Sequence, residues 1–143
     1  MTIGAYILIM QLERECSINV GSLGLIRFQE GRYAYVGSAM GGLEPRLRRH
    51  FSTQKKRRWH IDYLLEKGSA LQAFYVPSEQ KLECLLNRLV SVLPESMPVQ
   101  GFGASDCTCR THLYRISEEG YRDLISMFGK DLTWFPRDLL DEC

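Results

Sequence analysis

Tyr35-Val36-Gly37-Ser38 runs within a few residues into Leu43-Glu44-Pro45-Arg46-Leu47-Arg48-Arg49-His50-Phe51, and this stretch carries the chain's most chemically suggestive spacing. Residues 33–36 are aromatic-rich and read as a strand, and the basic run after them reads as a helix. Arg46 and His50 stand at i and i+4, which puts them on one helical face. A tyrosine at a strand end, facing an arginine and a histidine one turn apart, suits phosphodiester chemistry. Arginine offers a fork of donors matched to phosphate oxygens. A phenol or an imidazole can relay a proton.

The charge distribution points the same way. The chain carries a formal net charge of only +1. Yet Arg46, Arg48, Arg49, Lys55, Lys56, Arg57 and Arg58 fall within thirteen positions with no acid among them. The tail after Ser117 is acidic by comparison. A near-neutral protein with one concentrated basic segment has a local surface for anions. A solvated helix end and loop explains the charges alone equally well. The neighbouring Tyr35 and Arg46 favour the anion-facing reading.

These residues need a scaffold. At 143 residues, 45% hydrophobic and 24% charged, the composition is that of an ordinary globular protein with one core. Residues 6–12 read as a buried strand. Residues 18–20 and 25–28 flank Gly21-Ser22-Leu23-Gly24 as a hairpin with a glycine turn. With 33–36 these make a four-stranded antiparallel meander. Gly41-Gly42 breaks the chain, and Pro45 fits the first turn of the basic helix. A helix is expected over 60–67 and a strand over 71–76. A long helix over 79–92 follows, with Ser78 as N-cap and Leu82, Leu85, Leu86, Leu89 and Leu93 as its apolar stripe. Residues 112–116 form a short strand, and 118–128 a last helix. Trp134-Phe135-Pro136 packs back on the body. The sum is one α+β domain, mainly an antiparallel sheet with helices packed on it. Residues 1–117 form its core, and 118–143 a C-terminal helix and tail packed on the same domain.

No apolar run reaches the roughly 18 residues of a membrane span, and the first ten residues lack the basic start and cleavage region of a secretory signal. No membrane partner and a cytoplasmic location are expected. The five cysteines, Cys16, Cys84, Cys107, Cys109 and Cys143, are odd in number, and reduced thiols are the preferred reading.

Beyond these physical readings, the chain resembles a known family. Gly4-Ala5-Tyr6 and Tyr35-Val36-Gly37 resemble the two halves of the GIY-YIG nuclease motif, separated by a longer stretch than that motif usually has. The wider pattern is similar to an uncharacterised GIY-YIG-like family sometimes fused to endonuclease III. It is matched by Val20-Gly21-Ser22-Leu23-Gly24, by the Gly31 to Ala39 run, by Arg58-Trp59-His60-Ile61-Asp62-Tyr63-Leu64 and by the Gly101 to Leu113 run.

The resemblance implies a GIY-YIG-like fold and a divalent-metal-dependent endonuclease acting on DNA or structured nucleic acid. Its catalytic residues would be Tyr6, Tyr35, Arg46 and His50. The tyrosines would orient or activate water, although a phenol of pKa ~10 is a poor base at neutral pH without nearby cations or a metal-bound water. Tyr33, two residues from Tyr35, shares its face of the strand. Arg46 would stabilise charge on the scissile phosphate. Glu83 would be the metal ligand, a hard carboxylate suited to Mg²⁺ or Mn²⁺. Nucleic acid would meet Gly37, Ser38, Arg48, Arg49, Lys55, Lys56, Arg57, Arg58 and His60.

Two further features stay open at the level of sequence. Trp59 reads as core, and Asp62 as a helix-start acid favoured by the dipole, or else His60 and Asp62 each meet another segment, such as His50 or the Gly101–His112 loop. Cys107, Cys109 and His112 offer soft ligands for zinc, completed by His50 or His60, or else a structural cysteine pair beside the cleft. The alternative function is a non-catalytic nucleic-acid-binding module of the same fold.

Overall fold

The computed structural model describes residues 2–53, 56–102 and 109–135. Its strands are β1 (Gly4–Leu12), β2 (Cys16–Asn19), β3 (Leu25–Phe28), β4 (Gly31–Ala39), β5 (Ser69–Pro77), β6 (Met97–Pro98), β7 (Leu113–Ile116) and β8 (Thr133–Trp134). Its helices are α1 (Leu43–Phe51), α2 (His60–Leu65), α3 (Glu83–Ser91) and α4 (Glu118–Phe128). The domain is α+β, a mostly antiparallel sheet with helices packed on it.

β1 is the axis of the fold because its side chains are apolar in both directions. Tyr6, Leu8, Met10 and Leu12 point to one face with Tyr33, Tyr35, Leu43, Leu47, Ile61 and Leu64. Ala5, Ile7 and Ile9 point to the other with Val36, Phe74, Leu86, Val90 and Leu124. This alternation follows from the period of two in a strand. Each fully buried aliphatic side chain contributes about 1.5–3 kcal/mol relative to exposure. A strand apolar on both sides therefore belongs at a sheet centre. The strand order is β6-β7-β4-β1-β5-β8. Helices α1 and α2 cover the first face, and α3 and α4 the second.

The expected meander does not form. β4 pairs directly with β1, with Tyr6 opposite Gly37 and Leu8 opposite Tyr35. β2 and β3 pair only with each other, as a separate two-stranded sheet. The burial patterns give the reason. β4 is buried continuously from Tyr33 to Gly37, whereas β2 and β3 each have one fully buried residue, Ile18 and Phe28. A half-polar hairpin cannot replace β4 at the centre, so the long stretch between the two motif halves folds out onto the α1/α2 side. Its turn is a 3-10 segment, Gly21–Leu23, closed by Gly24; Gly21 and Gly24 take φ of 46° and 78°, favoured by glycine.

A second difference concerns the long helix. It begins at Glu83, four residues later than expected. The Ser78 hydroxyl accepts the Gln80 N–H at 3.0 Å, which closes a local serine turn instead of capping the helix. Leu86 and Val90 are buried, but Leu85 is 61% exposed and leaves the stripe. Ser117 does cap α4, accepting from the Gly120 N–H at 3.0 Å. Trp134 pairs with Ala73 of β5, and its ring sits 5.0 Å from Phe51. Among the described residues, no helix is long and apolar enough to cross a membrane.

Candidate active site

The β1–β4 register brings the two motif tyrosines to one place. Tyr6 is fully buried, and its hydroxyl lies 2.7 Å from His50 Nε2. His50 is itself buried, on the inner face of α1 with Leu43 and Leu47. The Tyr35 ring meets the His50 ring edge-on at 6.1 Å. Burial pushes the Tyr6 phenol up to about 12, with the Arg46 charge pulling it partly back. Burial raises Tyr35 still further, and the neighbouring Tyr6 adds to the rise. Neither phenol is therefore poised to lose its proton unaided.

Gly37 makes room for this arrangement. A Cβ placed there would come within 2.4 Å of the Tyr6 ring and hydroxyl. That ring is buried, and its hydroxyl is held by His50 at 2.7 Å, so moving it aside would break that contact. Gly37→Ala is expected to destabilise the domain by about 1–3 kcal/mol, the cost of overpacking a filled core. Chemical denaturation measures the loss, and tyrosine fluorescence should report a displaced Tyr6.

Arg46, the residue that α1 turns toward the same space, is held from two sides. Its Nη1 donates to the Ser38 carbonyl at 2.9 Å, and its guanidinium lies 4.3 Å over the Trp59 ring. Such a cation–π contact contributes roughly 0.5–2 kcal/mol. Arg49 also lies over Trp59, at 4.2 Å, and grips Asp62 with both ends of its fork at 3.0 and 2.8 Å. Asp62 is more than a helix-start acid facing a dipole. It is 1% exposed and accepts from the N–H groups of Arg58 and Trp59 at 2.8 and 3.0 Å. Burial alone would raise its carboxyl, but Arg49 and these backbone donors outweigh burial and hold it below its ordinary value.

The basic segment is thus divided. Arg49 is committed to Asp62, and Arg57 to Glu66 at 2.9 Å. Arg48 pairs with Glu44 across one helical turn. Arg58 lines the cleft, and Lys56 is exposed, its carbonyl accepting from Arg49 at 2.8 Å. Lys55 lies outside the described residues. His60 sits at the cleft wall, its ring 5.8 Å from Phe102 and its Nε2 3.4 Å from the Ser22 hydroxyl.

The cleft itself has a volume of about 650 Å³. Tyr6, Tyr35, Gly37, Ser38, Arg46 and Glu83 all line it, so residues separated by up to 77 positions meet in one space. Glu83 arrives at the first turn of α3 and brings Cys84 with it. One Glu83 carboxylate oxygen lies 3.1 Å from His112 Nδ1. Donor atoms of Cys84, Cys109 and His112 all fall within 4.8 Å of one another, a group that could hold a metal ion. Two members of the expected trio of Cys107, Cys109 and His112 are thus brought together, and Cys84 joins them. Cys107 lies outside the described residues, and His50 faces Tyr6. Nothing in the spacing of Cys84 marks it as a partner of residues 25 and 28 positions later; only the fold does.

The family model described as a domain of unknown function, DUF123, matches residues 5–133. The chain belongs to the DUF123 family. The match runs from Ala5 in β1 to Thr133 in β8, so every cleft residue lies inside the DUF123 domain. No curated protein and no solved structure matches the chain. Besides Cys84, two further cleft residues of the DUF123 domain are not marked as such by the sequence. Trp59 reads as core but is a half-buried platform for arginines, and Lys81 carries no motif.

Proposed function

We propose that this DUF123 domain is a divalent-metal-dependent endonuclease of GIY-YIG type, hydrolysing phosphodiester bonds in DNA or structured nucleic acid. The observation that carries the reading is the convergence of two tyrosines, an arginine and a carboxylate on one cleft. The cleft is edged by Arg58 and Lys81, which favour a polyanion.

Arg46 binds the scissile phosphate. One of its amino groups is fixed on the Ser38 carbonyl, so the fork meets phosphate oxygens already oriented. The Tyr6 hydroxyl positions the attacking water. In the tautomer with its proton on Nδ1, His50 accepts from that hydroxyl through Nε2. A proton taken from water by the Tyr6 oxygen is matched by the phenol proton passing to His50. No free phenolate then builds up in a site where burial disfavours one. Tyr35, one strand away, donates to the same water or to the phosphate.

Glu83 is the acid among the described lining residues of the cleft, and a hard oxygen donor of this kind fits Mg²⁺ or Mn²⁺. A bound ion would supply Lewis-acid stabilisation of the leaving oxygen. Cys84 and Cys109 are thiols, the Cys109 S–H donating to the Cys84 sulfur at 3.3 Å. One observation favours the alternative of a non-catalytic binding module. Glu83 already has His112 as a partner, which competes with a metal for its oxygen.

Nucleic-acid binding tests what both readings share. Affinity for DNA measured in EDTA should fall steeply with salt, because neutralising phosphates releases counterions. Neutralising Lys56 and Arg58 together, as Lys56→Gln and Arg58→Gln, should lower the log–log salt slope by about 1.8, roughly 0.9 for each phosphate that no longer meets a cation. Arg57→Gln should change the slope less, since Arg57 is paired with Glu66. A slope unmoved by the Lys56 and Arg58 changes would remove this segment from the interface.

A further inference from the structure

We infer that Cys84, Cys109 and His112 form a zinc site that pins the start of α3 to the segment entering β7. The inference stands apart from the proposed cleavage, except that Glu83, its neighbour, is the ligand assigned there to Mg²⁺ or Mn²⁺.

The three donors come from two segments that the sequence separates and the fold joins. Their ligand atoms lie within 4.8 Å of one another, and the Cys84 and Cys109 sulfurs are 3.3 Å apart. A tetrahedral zinc with Zn–S near 2.3 Å holds two sulfurs about 3.8 Å apart. The observed spacing therefore needs a shift of only about half an ångström. It is also far beyond the roughly 2.05 Å of a disulfide bond.

The donor chemistry selects the metal. Two thiolates and an imidazole are soft to borderline ligands, which suit zinc and not Mg²⁺. Binding breaks two S–H bonds, forms two Zn–S bonds and releases both protons to solvent. His112 is already oriented for this. Its backbone N–H donates to the Phe102 carbonyl at 2.7 Å, and its own carbonyl accepts from Val36 at 2.9 Å. The backbone that carries the imidazole is thus anchored to the sheet. Glu83 stands 3.1 Å from His112 Nδ1 and is not one of the three converging donors. A carboxylate behind a metal-bound histidine fixes the ring and its tautomer. Glu83 takes that place, which leaves Nε2 as the metal-binding nitrogen. Cys84 is exposed and Cys109 half-buried, so a metal can reach the site from solvent.

The test uses the full chain, purified under reducing conditions. Elemental analysis should find one zinc per chain. Cobalt added to chelator-treated protein should produce the near-ultraviolet charge-transfer band of thiolate ligands. Cys84→Ser and Cys109→Ser should each lose the stoichiometric zinc and weaken or abolish the band. Cys16→Ser, on β2, should change neither. Glu83→Gln should keep the stoichiometry but weaken zinc binding by about 10–100-fold. Cleavage fails in Glu83→Gln through Mg²⁺ whether or not zinc is present, so the metal content reads the zinc site separately. Wild-type protein that carries no zinc and gives no cobalt band would overturn the inference, as would a Cys84–Cys109 disulfide in its place. Full zinc content in both cysteine variants would overturn it equally.

Discussion

Arg46→Ala is expected to lower metal-dependent cleavage by about 10²–10³-fold, a loss of roughly 3–4 kcal/mol of transition-state stabilisation. The guanidinium is oriented before substrate arrives, by the Ser38 carbonyl and the Trp59 ring. Such a preorganised donor is the kind whose removal costs most. The fold should survive, because Arg46 is only half-buried and its packing partner Trp59 keeps Arg49. Glu83→Gln should abolish cleavage while preserving side-chain volume, since the amide lacks the charge that holds Mg²⁺. Tyr35→Phe should reduce the rate with little loss of DNA binding, because only a hydroxyl is removed. His50→Ala should approach the Arg46→Ala loss if His50 takes the Tyr6 proton, and should fall well short of it if His50 only orients the phenol. Single-turnover kinetics with binding measured in parallel separates these effects. Full activity in the Arg46 and Glu83 variants would defeat the mechanism.

The largest effect on stability is expected at the Arg49–Asp62 pair. Asp62 is 1% exposed, and Arg49 is its charged partner. Removing one member of a buried pair strands the other and typically costs about 3–5 kcal/mol. Arg49→Ala should sit near the lower end of that range, because the Arg49 side chain keeps 20% exposure. The pH dependence carries a definite sign. Asp62 is held below its ordinary 3.8, so its contribution is complete above that value and is lost as pH falls through the lower folded value. Without Arg49, burial raises the Asp62 carboxyl, so the variant carries the cost of the buried charge at neutral pH and is relieved of it as the carboxyl protonates in acid. The gap between variant and parent should therefore narrow in strong acid. Urea unfolding at about pH 7 and about pH 3, on either side of the carboxylate range, measures both. An equal gap at the two values would mean that Asp62 is not the group responsible.

Much of the fold is legible in the sequence, and the reasons are physical. β1 announces itself through apolar side chains at both parities, and α1 through the four-residue spacing of Arg46 and His50. Pairing is harder to read. The hairpin of β2 and β3 has the same local signals as a strand pair within a sheet, and only competition for the place beside β1 excludes it. The start of α3 is ambiguous because Ser78 can cap a helix or close a turn, and the choice depends on surroundings that no local pattern encodes. Arg49 looks like a phosphate ligand from charge alone. Its commitment to Asp62 depends on α2 folding back over α1, thirteen residues later. Cys84 carries no signal at all, since its partners lie 25 and 28 residues later in the chain.

The most direct test of the central claim is a cleavage assay of the purified chain on branched and linear DNA, with Mg²⁺ or Mn²⁺ and with EDTA. The account predicts strand scission that requires the ion and disappears in Glu83→Gln while DNA binding persists. Binding without scission by the wild type, on every substrate and with either ion, would contradict it and leave the domain as a nucleic-acid-binding module.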